Sequence, residues 1–396
     1  MIRSLAVIGM LSLLTHPATA ADRDSAVDRL ESEYQKVEKE FFETPEQKEP
    51  TNADSIRRYE AWPGWKYIPR FLELAEAMPD DEAAFRCCQW IFDRTRNVGN
   101  QDKLIFSADQ KAWDIVAAHH THRADLPTLC VRAVEYDGPA QERFLRGLVK
   151  RQDVSRERTG FAIVALGELL AHKHNLIEYF EHRPSSKSEF EEFVGHRKSP
   201  DWGKDLSPAN AAKFKPEAIQ LFRETHAHFA DVPVTLSAPG FRRLNNLGDK
   251  AGKSLHALEH LTIGSESPAI VGKDLDGQPL NLRDHRGKVV IVSFWFTGCG
   301  PCMGLIPQEQ RLVKTHKDRP FALLGVCTDE TLDQARKTAH DHGIDWACWF
   351  DGENGPIARE WNVLSWPTIY VLDPSGRIVA KNLPVIGDRH VRFSCK

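Results

Sequence analysis

The stretch KVVIVSFWFTGCGPCMGLIP, residues 288–307, joins a strand pattern to two closely spaced cysteines. Its first half is an unbroken run of β-branched and aromatic residues, which is typical of a strand buried on both faces. Cys299 and Cys302 follow, separated by Gly300 and Pro301. Because proline suits the first turn of a helix, the sequence predicts a strand, a short turn and a helix that begins at the cysteines.

This spacing predicts a dithiol that exchanges with disulfides. At a helix N-terminus, backbone N–H groups and the helix dipole favour a thiolate at Cys299, which we expect to be exposed, whereas Cys302 should lie deeper. The first thiolate would attack a partner disulfide, and the second would resolve the mixed disulfide. A structural bridge or a zinc half-site is the alternative, but zinc needs a second ligand pair, and the sequence after residue 264 has no other CxxC and no HxxxH.

The sequence around the dithiol alternates between strand and helix patterns. Apolar runs rich in β-branched residues occupy 321–328 and 368–373, and the turn at 373–376 leads into a hairpin strand. Helical patterns lie between the strands, at residues 308–317, 330–342 and 356–361. Residues 265–396 are therefore predicted to form an α/β domain with a mixed sheet.

The preceding region, residues 21–260, has a helical pattern instead. Apolar residues recur at three- and four-residue spacing in segments such as 70–78 and 82–95, which predicts stacked helical hairpins without a regular repeat. A polar segment containing several prolines, at about 183–215, is predicted to be an irregular crossover. The protein is thus predicted to be multidomain, with an all-α N-terminal region and an α/β C-terminal domain.

The first twenty residues have the features of a secretory signal peptide. Arg3 is followed by an apolar run, Leu5 to Leu14, that is too short to span a bilayer, and Ala18-Thr19-Ala20 offers a cleavage site. A buried N-terminal helix is the alternative. We therefore expect residues 1–20 to be removed, the protein to be exported to the periplasm or another extracytoplasmic face, and no membrane span to remain after cleavage.

Composition excludes several other classes of function. Lys and Arg total 52 against 56 Asp and Glu, so no nucleic-acid or anionic-membrane partner is indicated. Histidine pairs at i, i+2 spacing do not share a helix face, and no metal or cofactor is expected.

Cys87 and Cys88 are adjacent in a predicted helix, so at most one should face the core. Cys327 and Cys348 are predicted to be small buried residues.

With these motifs in order, residues from about 265 to 383 resemble the thioredoxin fold, specifically the exported TlpA/ResA-like thiol–disulfide oxidoreductases of the redoxin group. The resemblance is carried by three segments: SPAIVGKDLDGQPLNLRDHRGKVVIVSFWFTGCGPC, GVCTDE and SWPTIYVLDPSG. It implies that Cys299 and Cys302 form the redox-active disulfide and that Pro367 is a cis-proline opposite them. It also implies that Gly300, Pro301, Trp366 and Pro367 form the substrate-binding motif. The helical region is outside the resemblance.

The sequence departs from the family at positions that affect proton transfer. Thioredoxins carry a buried Asp where this chain has Ser293, and relatives often carry a Glu where it has Leu305. Such acids help the resolving thiol to lose its proton. Glu309 and Asp329 are the nearest acidic candidates. Gly298 stands where a Trp is usual and should widen the rim of the site.

We expect the final helix of the fold to be truncated, since only about a dozen residues follow Pro384. The function that this sequence favours is an exported thiol–disulfide oxidoreductase acting on protein thiols and disulfides. The Gly-Pro pair matches reducing thioredoxins, so we expect this protein to act as a reductant that receives its electrons from a membrane carrier. One alternative is a helical binding module with a weakly active redoxin domain. Another is a peroxiredoxin-like peroxidase, which would need Thr or Ser where this chain has Phe296.

Overall fold

The computed structural model describes residues 19–43, 62–98, 103–136, 138–181, 208–236, 241, 244–353, 355–363 and 365–381. The predicted signal peptide, apart from its last two residues, lies outside this part of the chain, as do Cys395 and the predicted truncation of the final helix. No helix among the described residues has the length and apolar composition needed to cross a membrane.

The described regular structure before residue 264 is helical, apart from one isolated bridge between Pro233 and Asn246. The helices are α1 (Ala20–Glu43), α2 (Gly64–Ala77), α3 (Glu82–Val98), α4 (Lys103–His119), α5 (Leu126–Tyr136), α6 (Pro139–Val149), α7 (Arg156–Glu181), α8 (Pro208–His228) and α9 (Leu247–His260). Contacts divide the chain into two compact units, of which the first contains, among the described residues, α1, α2, α3, α4 and most of α6. The second unit comprises the remainder, so it combines α5, α7, α8 and α9 with the C-terminal domain.

In the first unit, three other helices pack against α3. It begins after Asp81, whose carboxylate accepts a hydrogen bond from the N–H of Ala84 at 2.7 Å. Because α1, α2 and α4 all pack against α3, this helix is covered on more than one side. Cys87 and Cys88 are therefore both buried, and the prediction that at most one of them faces the core is wrong.

In the second unit, α7 packs against α5, α8 and α9. Helix α8 begins at Pro208, so the prediction of irregular structure as far as residue 215 is wrong for its last eight residues. Proline is favourable in the first helical turn, and the alanines that follow it are strong helix formers. Pro216 lies inside the helix and removes one backbone hydrogen bond, a loss that the packing of α8 against α7 and α9 offsets.

The C-terminal domain alternates strands and helices as predicted. Its elements are β1 (Val271–Lys273), β2 (Pro279–Asn281), a 3-10 turn (Leu282–His285), β3 (Val289–Trp295), α10 (Gly300–Thr315), β4 (Phe321–Cys327), α11 (Leu332–His342), β5 (Cys348–Phe350), α12 (Pro356–Glu360), β6 (Thr368–Leu372) and β7 (Ile378–Lys381). Strands β1 and β2 form a separate antiparallel hairpin.

The main sheet has the strand order β5-β4-β3-β6-β7. Strand β3 runs parallel to β4 and antiparallel to β6, while β5 is parallel to β4 and β7 antiparallel to β6. The prediction of a mixed sheet, beside a helical N-terminal region, is confirmed.

Strand β3 is the centre of the domain, and all seven of its residues are buried. Val290, Val292 and Phe294 face one hydrophobic core, while Val289 and Ile291 face a second core that includes Leu312 of α10. Since side chains alternate along a strand, Ser293 and Trp295 point to the α10 side as well. This geometry directs the end of β3 towards the start of α10.

The edge strand β7 is connected to the helices of its own unit. The ammonium of Lys381 donates a hydrogen bond of 2.8 Å to the carbonyl of Leu261, which follows α9. Burial lowers the pKa of Lys381 to about 8, although the carboxylate of Glu178 on α7 acts in the opposite direction. A backbone carbonyl after α9 and a carboxylate on α7 therefore interact with the end of this edge strand.

Candidate active site

The two cysteines lie where β3 passes into α10. Cys299 is the N-cap residue, the helix begins at Gly300, and Pro301 occupies its first turn, where no backbone donor is needed. A disulfide joins Cys299 to Cys302, with their Cα atoms 5.2 Å apart. The strand, turn and helix predicted from the sequence are thus confirmed.

The sulfur of Cys299 is held by the helix terminus. Its Sγ accepts a hydrogen bond from the backbone N–H of Cys302 at 3.1 Å, which is the contact that a capping Ser or Asp side chain would make. In the reduced protein, the same N–H and the helix dipole stabilise a thiolate at this position. A backbone donor at the helix terminus therefore points at the sulfur of Cys299.

Both sulfur-bearing residues are buried, which corrects the expectation that Cys299 is exposed. Cys299 is 5% and Cys302 3% accessible, and both belong to a hydrophobic cluster with Trp295, Cys327 and Cys348. The partly buried residues that pack against this cluster include Phe296, Met303 and Trp366. This packing around the disulfide, which the motif alone does not indicate, encloses Cys299.

The ring of Phe296 lies beside Gly298 at the rim of the site. A Cβ atom on Gly298 would lie 2.8 Å from Cε2 of Phe296, so the phenyl ring packs directly against this glycine. The same ring meets Trp366 edge to face, with centroids 5.6 Å apart. Phe296 therefore occupies the space beside Gly298 at the rim, where the family's Trp is absent.

Pro367 lies at the same end of the sheet as the dithiol. Its neighbour Thr368 pairs with Phe294, the penultimate residue of β3. The peptide bond between Trp366 and Pro367 is cis, as the resemblance implied. Trp366 packs against both the cysteine cluster and the core on the opposite side of the sheet. The structure thus brings together the site residues predicted from the dithiol motif and from SWPT.

The two candidate acids have different environments. The carboxylate of Asp329 accepts hydrogen bonds from the N–H of Thr297 at 2.8 Å, from the Thr297 hydroxyl at 2.7 Å and from Cys327 Sγ at 3.2 Å. Glu309 is only 4% accessible and receives a hydrogen bond from Ser293, and its Oε1 has no partner among the described residues. Burial raises the pKa of Glu309 to about 7.

Two further thiols lie in the same cluster. Cys327 and Cys348 are buried, as predicted, and burial raises the pKa of both, that of Cys348 to about 12. At neutral pH these thiols are protonated and therefore poor nucleophiles. In the part of the chain that the structure covers, no three His, Cys, Asp or Glu side chains are grouped to hold a metal ion.

Comparison with known proteins places this geometry in context. Residues 263–381 match the AhpC/TSA family. A thiol–disulfide oxidoreductase ResA of Bacillus thuringiensis subsp. konkukian is 28% identical over 121 residues, which are 31% of this chain and 69% of the relative. The thioredoxin-like protein YneN of Bacillus subtilis is 31% identical over 131 residues, which are 32% of this chain and 71% of the relative.

A solved thioredoxin domain of a thiol–disulfide oxidoreductase from Bacteroides vulgatus is 32% identical; the alignment covers 33% of this chain and 94% of that domain, with a TM-score of 0.31. The fold and the dithiol define a thioredoxin-like protein with a redoxin domain. This chain belongs to the family of ResA-like thiol–disulfide oxidoreductases, as the sequence resemblance indicated. The AhpC/TSA match does not extend to the helices before residue 263.

Proposed function

We propose that this protein is an exported oxidoreductase that reduces disulfides in other proteins through Cys299 and Cys302. Its class, a thiol–disulfide oxidoreductase, follows from its relatives. The observation that supports the assignment of roles is the 3.1 Å hydrogen bond from the Cys302 N–H to Cys299 Sγ at the start of α10. It stabilises negative charge on the first sulfur and not on the second.

The proposed reaction transfers two electrons from the dithiol to a partner disulfide. The Cys299 thiolate attacks one partner sulfur, the partner S–S bond breaks, and one partner thiolate leaves. Cys302 then loses its proton and attacks Cys299 Sγ, which breaks the mixed disulfide and releases the second partner thiol. The enzyme ends as the Cys299–Cys302 disulfide and the partner as two thiols.

Four residues around the dithiol are proposed to bind the substrate chain. Gly300 and Pro301 are exposed beside the buried sulfurs, and Trp366 and Pro367 are partly accessible at the same end of the sheet. Phe296 and Trp366 form an apolar border to this surface. Since both sulfurs are buried, a substrate must contact these residues before its disulfide reaches Cys299.

Export and the electron source are part of the same proposal. The sequence of residues 1–20 supports secretion. An extracytoplasmic compartment is oxidising, so the reduced dithiol must be regenerated. We propose a membrane thiol carrier as the donor.

A redox titration of the mature protein tests this function. In thiol buffers of defined potential, alkylation and mass spectrometry should show Cys299 and Cys302 titrating as one two-electron couple. A midpoint on the order of −270 mV would support a reductant, whereas one on the order of −120 mV would overturn that direction. If the two residues do not titrate together, the binding-module alternative replaces the enzyme proposal.

A trapping experiment tests the roles of the two sulfurs. Cys302→Ser should accumulate mixed disulfides through Cys299 in a periplasmic extract, because the resolving thiol is missing. Cys348→Ser is the matched control, since it removes a buried thiol of the same cluster but leaves the dithiol intact. Equal trapping by both variants would contradict the assignment.

A peroxidase is the second candidate, because the matched family is AhpC/TSA. Peroxidase chemistry of this kind requires a hydroxyl side chain three residues before the reactive cysteine. This chain has Phe296 there, and its ring packs on Gly298. Consumption of hydrogen peroxide with a thiol reductant, lost in Cys299→Ser, would favour this candidate over the proposed one.

A further inference from the structure

Resolution of the mixed disulfide requires the Cys302 thiol to lose a proton in a buried position. Cys302 is 3% accessible and is surrounded by apolar and aromatic side chains. Burial in such surroundings raises the pKa of a thiol, as it does for the neighbouring Cys348. A group inside the domain that accepts the proton would therefore accelerate this step.

Asp329 is poorly suited to accept the proton. Its carboxylate already accepts three hydrogen bonds, from the Thr297 N–H, the Thr297 hydroxyl and Cys327 Sγ. The Thr297 hydroxyl also contacts that of Thr338 at 2.7 Å. Both of its oxygens are thus occupied by Thr297 and Cys327, and this acid anchors the turn after β3.

Glu309 lies on the same buried face of α10 as Cys302. The buried residues of this helix are Cys302, Ile306, Glu309 and Leu312, a stripe with the spacing of one helix face. Long side chains on a helix incline towards its N-terminus, so the Glu309 carboxyl is displaced from its own Cα towards the dithiol end.

The strand below α10 brings Glu309 into the layer next to the cysteine cluster. Ser293, its hydrogen-bond donor, lies between Ile291 and Trp295 on the α10 side of β3, and Trp295 packs in the same cluster as both cysteines. The negative charge of Glu309 also raises the pKa of Cys348, a member of that cluster. The carboxyl group therefore acts electrostatically on the interior of the site.

We propose that Glu309 is the proton acceptor for Cys302 in the resolving step. This inference rests on the proposed dithiol function. The Cys302 Sγ–H bond breaks and its proton passes to the free Oε1 side of Glu309. The resulting thiolate forms the bond to Cys299 Sγ, and the partner thiolate leaves. When a reductant later opens the Cys299–Cys302 disulfide, Glu309 returns the proton to Cys302.

The protonation behaviour of Glu309 fits this role. Burial raises its pKa to about 7, so the group can both accept and release a proton near neutral pH. Among the described residues, Cys348 on β5 is a titratable group whose pKa the charge of Glu309 raises, and Cys302 lies on the same buried face of α10. Ser293 on β3 is its hydrogen-bond donor and acts against the rise in its pKa.

A stopped-flow reaction of the reduced protein with dithiobisnitrobenzoate separates the two chemical steps. Attack by Cys299 releases one coloured thiolate at a rate proportional to the concentration of the reagent. Resolution by Cys302 releases a second coloured thiolate at a rate that does not depend on this concentration. All proteins carry Cys395→Ser, because the five described free cysteines are buried. Cys302→Ser identifies the second phase by removing it.

Glu309→Gln, which keeps the size of the side chain, should slow the second phase by about 100-fold at neutral pH and leave the first unchanged. In the wild type the second rate should level off above about pH 7, whereas in the variant it should rise tenfold per pH unit, because hydroxide replaces the missing base. Glu309→Asp should restore part of the rate. The unchanged first phase shows that the variant domain is folded.

Asp329→Asn tests the rival acid and should keep a fast second phase with the wild-type pH profile. A wild-type second phase in Glu309→Gln, or its loss in Asp329→Asn alone, would overturn the inference. Failure of the proposed function looks different: the wild type would then show no rapid first phase at all. Infrared difference spectra of the oxidised and reduced forms give a second readout, since a protonated carboxyl signal should disappear in Glu309→Gln.

Discussion

Glu309 should make the stability of the C-terminal domain depend on pH in an unusual direction. Most carboxylates in folded proteins stabilise the native state as pH rises, because their folded pKa is depressed. Glu309 is the reverse case, since burial raises its pKa in the folded protein from an ordinary 4.5 to about 7. The stability that Glu309 contributes in its protonated form is therefore fully present below pH 4.5 and is lost as pH rises through about 7.

The size of this effect follows from the two pKa values. The difference, 7 − 4.5, is 2.5 pH units, and each unit corresponds to 1.36 kcal/mol. Ionisation of Glu309 should thus lower the free energy of unfolding by roughly 3 kcal/mol between pH 4.5 and pH 8. Glu309→Gln has no ionisable group at this position, so its free energy of unfolding should lack this decrease with rising pH.

Hydrogen exchange of the oxidised full-length protein measures the effect where it arises. Peptides that contain β3, Val289–Trp295, report the opening free energy of the central strand after correction for the intrinsic pH dependence of exchange. Protection should fall with rising pH more steeply in the wild type than in Glu309→Gln. The exposed Glu330→Gln is the matched control and should behave as the wild type. Equal slopes in wild type and Glu309→Gln would refute the reasoning.

Three other substitutions or treatments give direct tests of the packing and of the dithiol. Gly325→Ala would place a Cβ atom 2.3 Å from Cys348 Sγ and should lower the free energy of unfolding, measured in urea, by about 1–3 kcal/mol. An unchanged midpoint of unfolding would contradict this close contact. Gly298→Ala should displace the Phe296 ring and speed alkylation of reduced Cys299, whereas an unchanged rate would mean that the ring does not limit access. In the wild type, alkylation should label Cys299 before Cys302, and equal rates would argue against stabilisation by the helix terminus.

Strands β3, β4 and β6 of the main sheet could be predicted because each carries a strong local signal. Strands β3, β4 and β6 are buried along most of their length, so their sequences are nearly continuous apolar runs. Strands β1 and β2 have three residues each and little burial; Val271, for example, is 72% exposed. Such short exposed strands have no apolar periodicity, and only the Asp-Gly pair at their turn indicates a hairpin.

The site was predicted less completely than the sheet, because its burial depends on residues distant in sequence. The spacing of the cysteines and the helix-starting proline identified the dithiol and its place at a helix N-terminus. The enclosure of Cys299 depends on Phe296 packing on Gly298 and against Trp366, a contact between segments some seventy residues apart. No local pattern in CGPC indicates this packing, so the exposure predicted for Cys299 was wrong.

The interior acid illustrates how a chemical requirement can be met from a different element. Where thioredoxins carry a buried Asp on the strand, this chain has Ser293, and the missing carboxyl would leave the proton of Cys302 without an acceptor. Ser293 instead donates a hydrogen bond to Glu309, which projects from the buried face of α10 into the same layer. The sequence contains the signal, since Cys302, Ile306, Glu309 and Leu312 recur at helical spacing. An acid within an otherwise apolar helix stripe has a cost in stability, and proton transfer at the dithiol is a physical reason to keep it there.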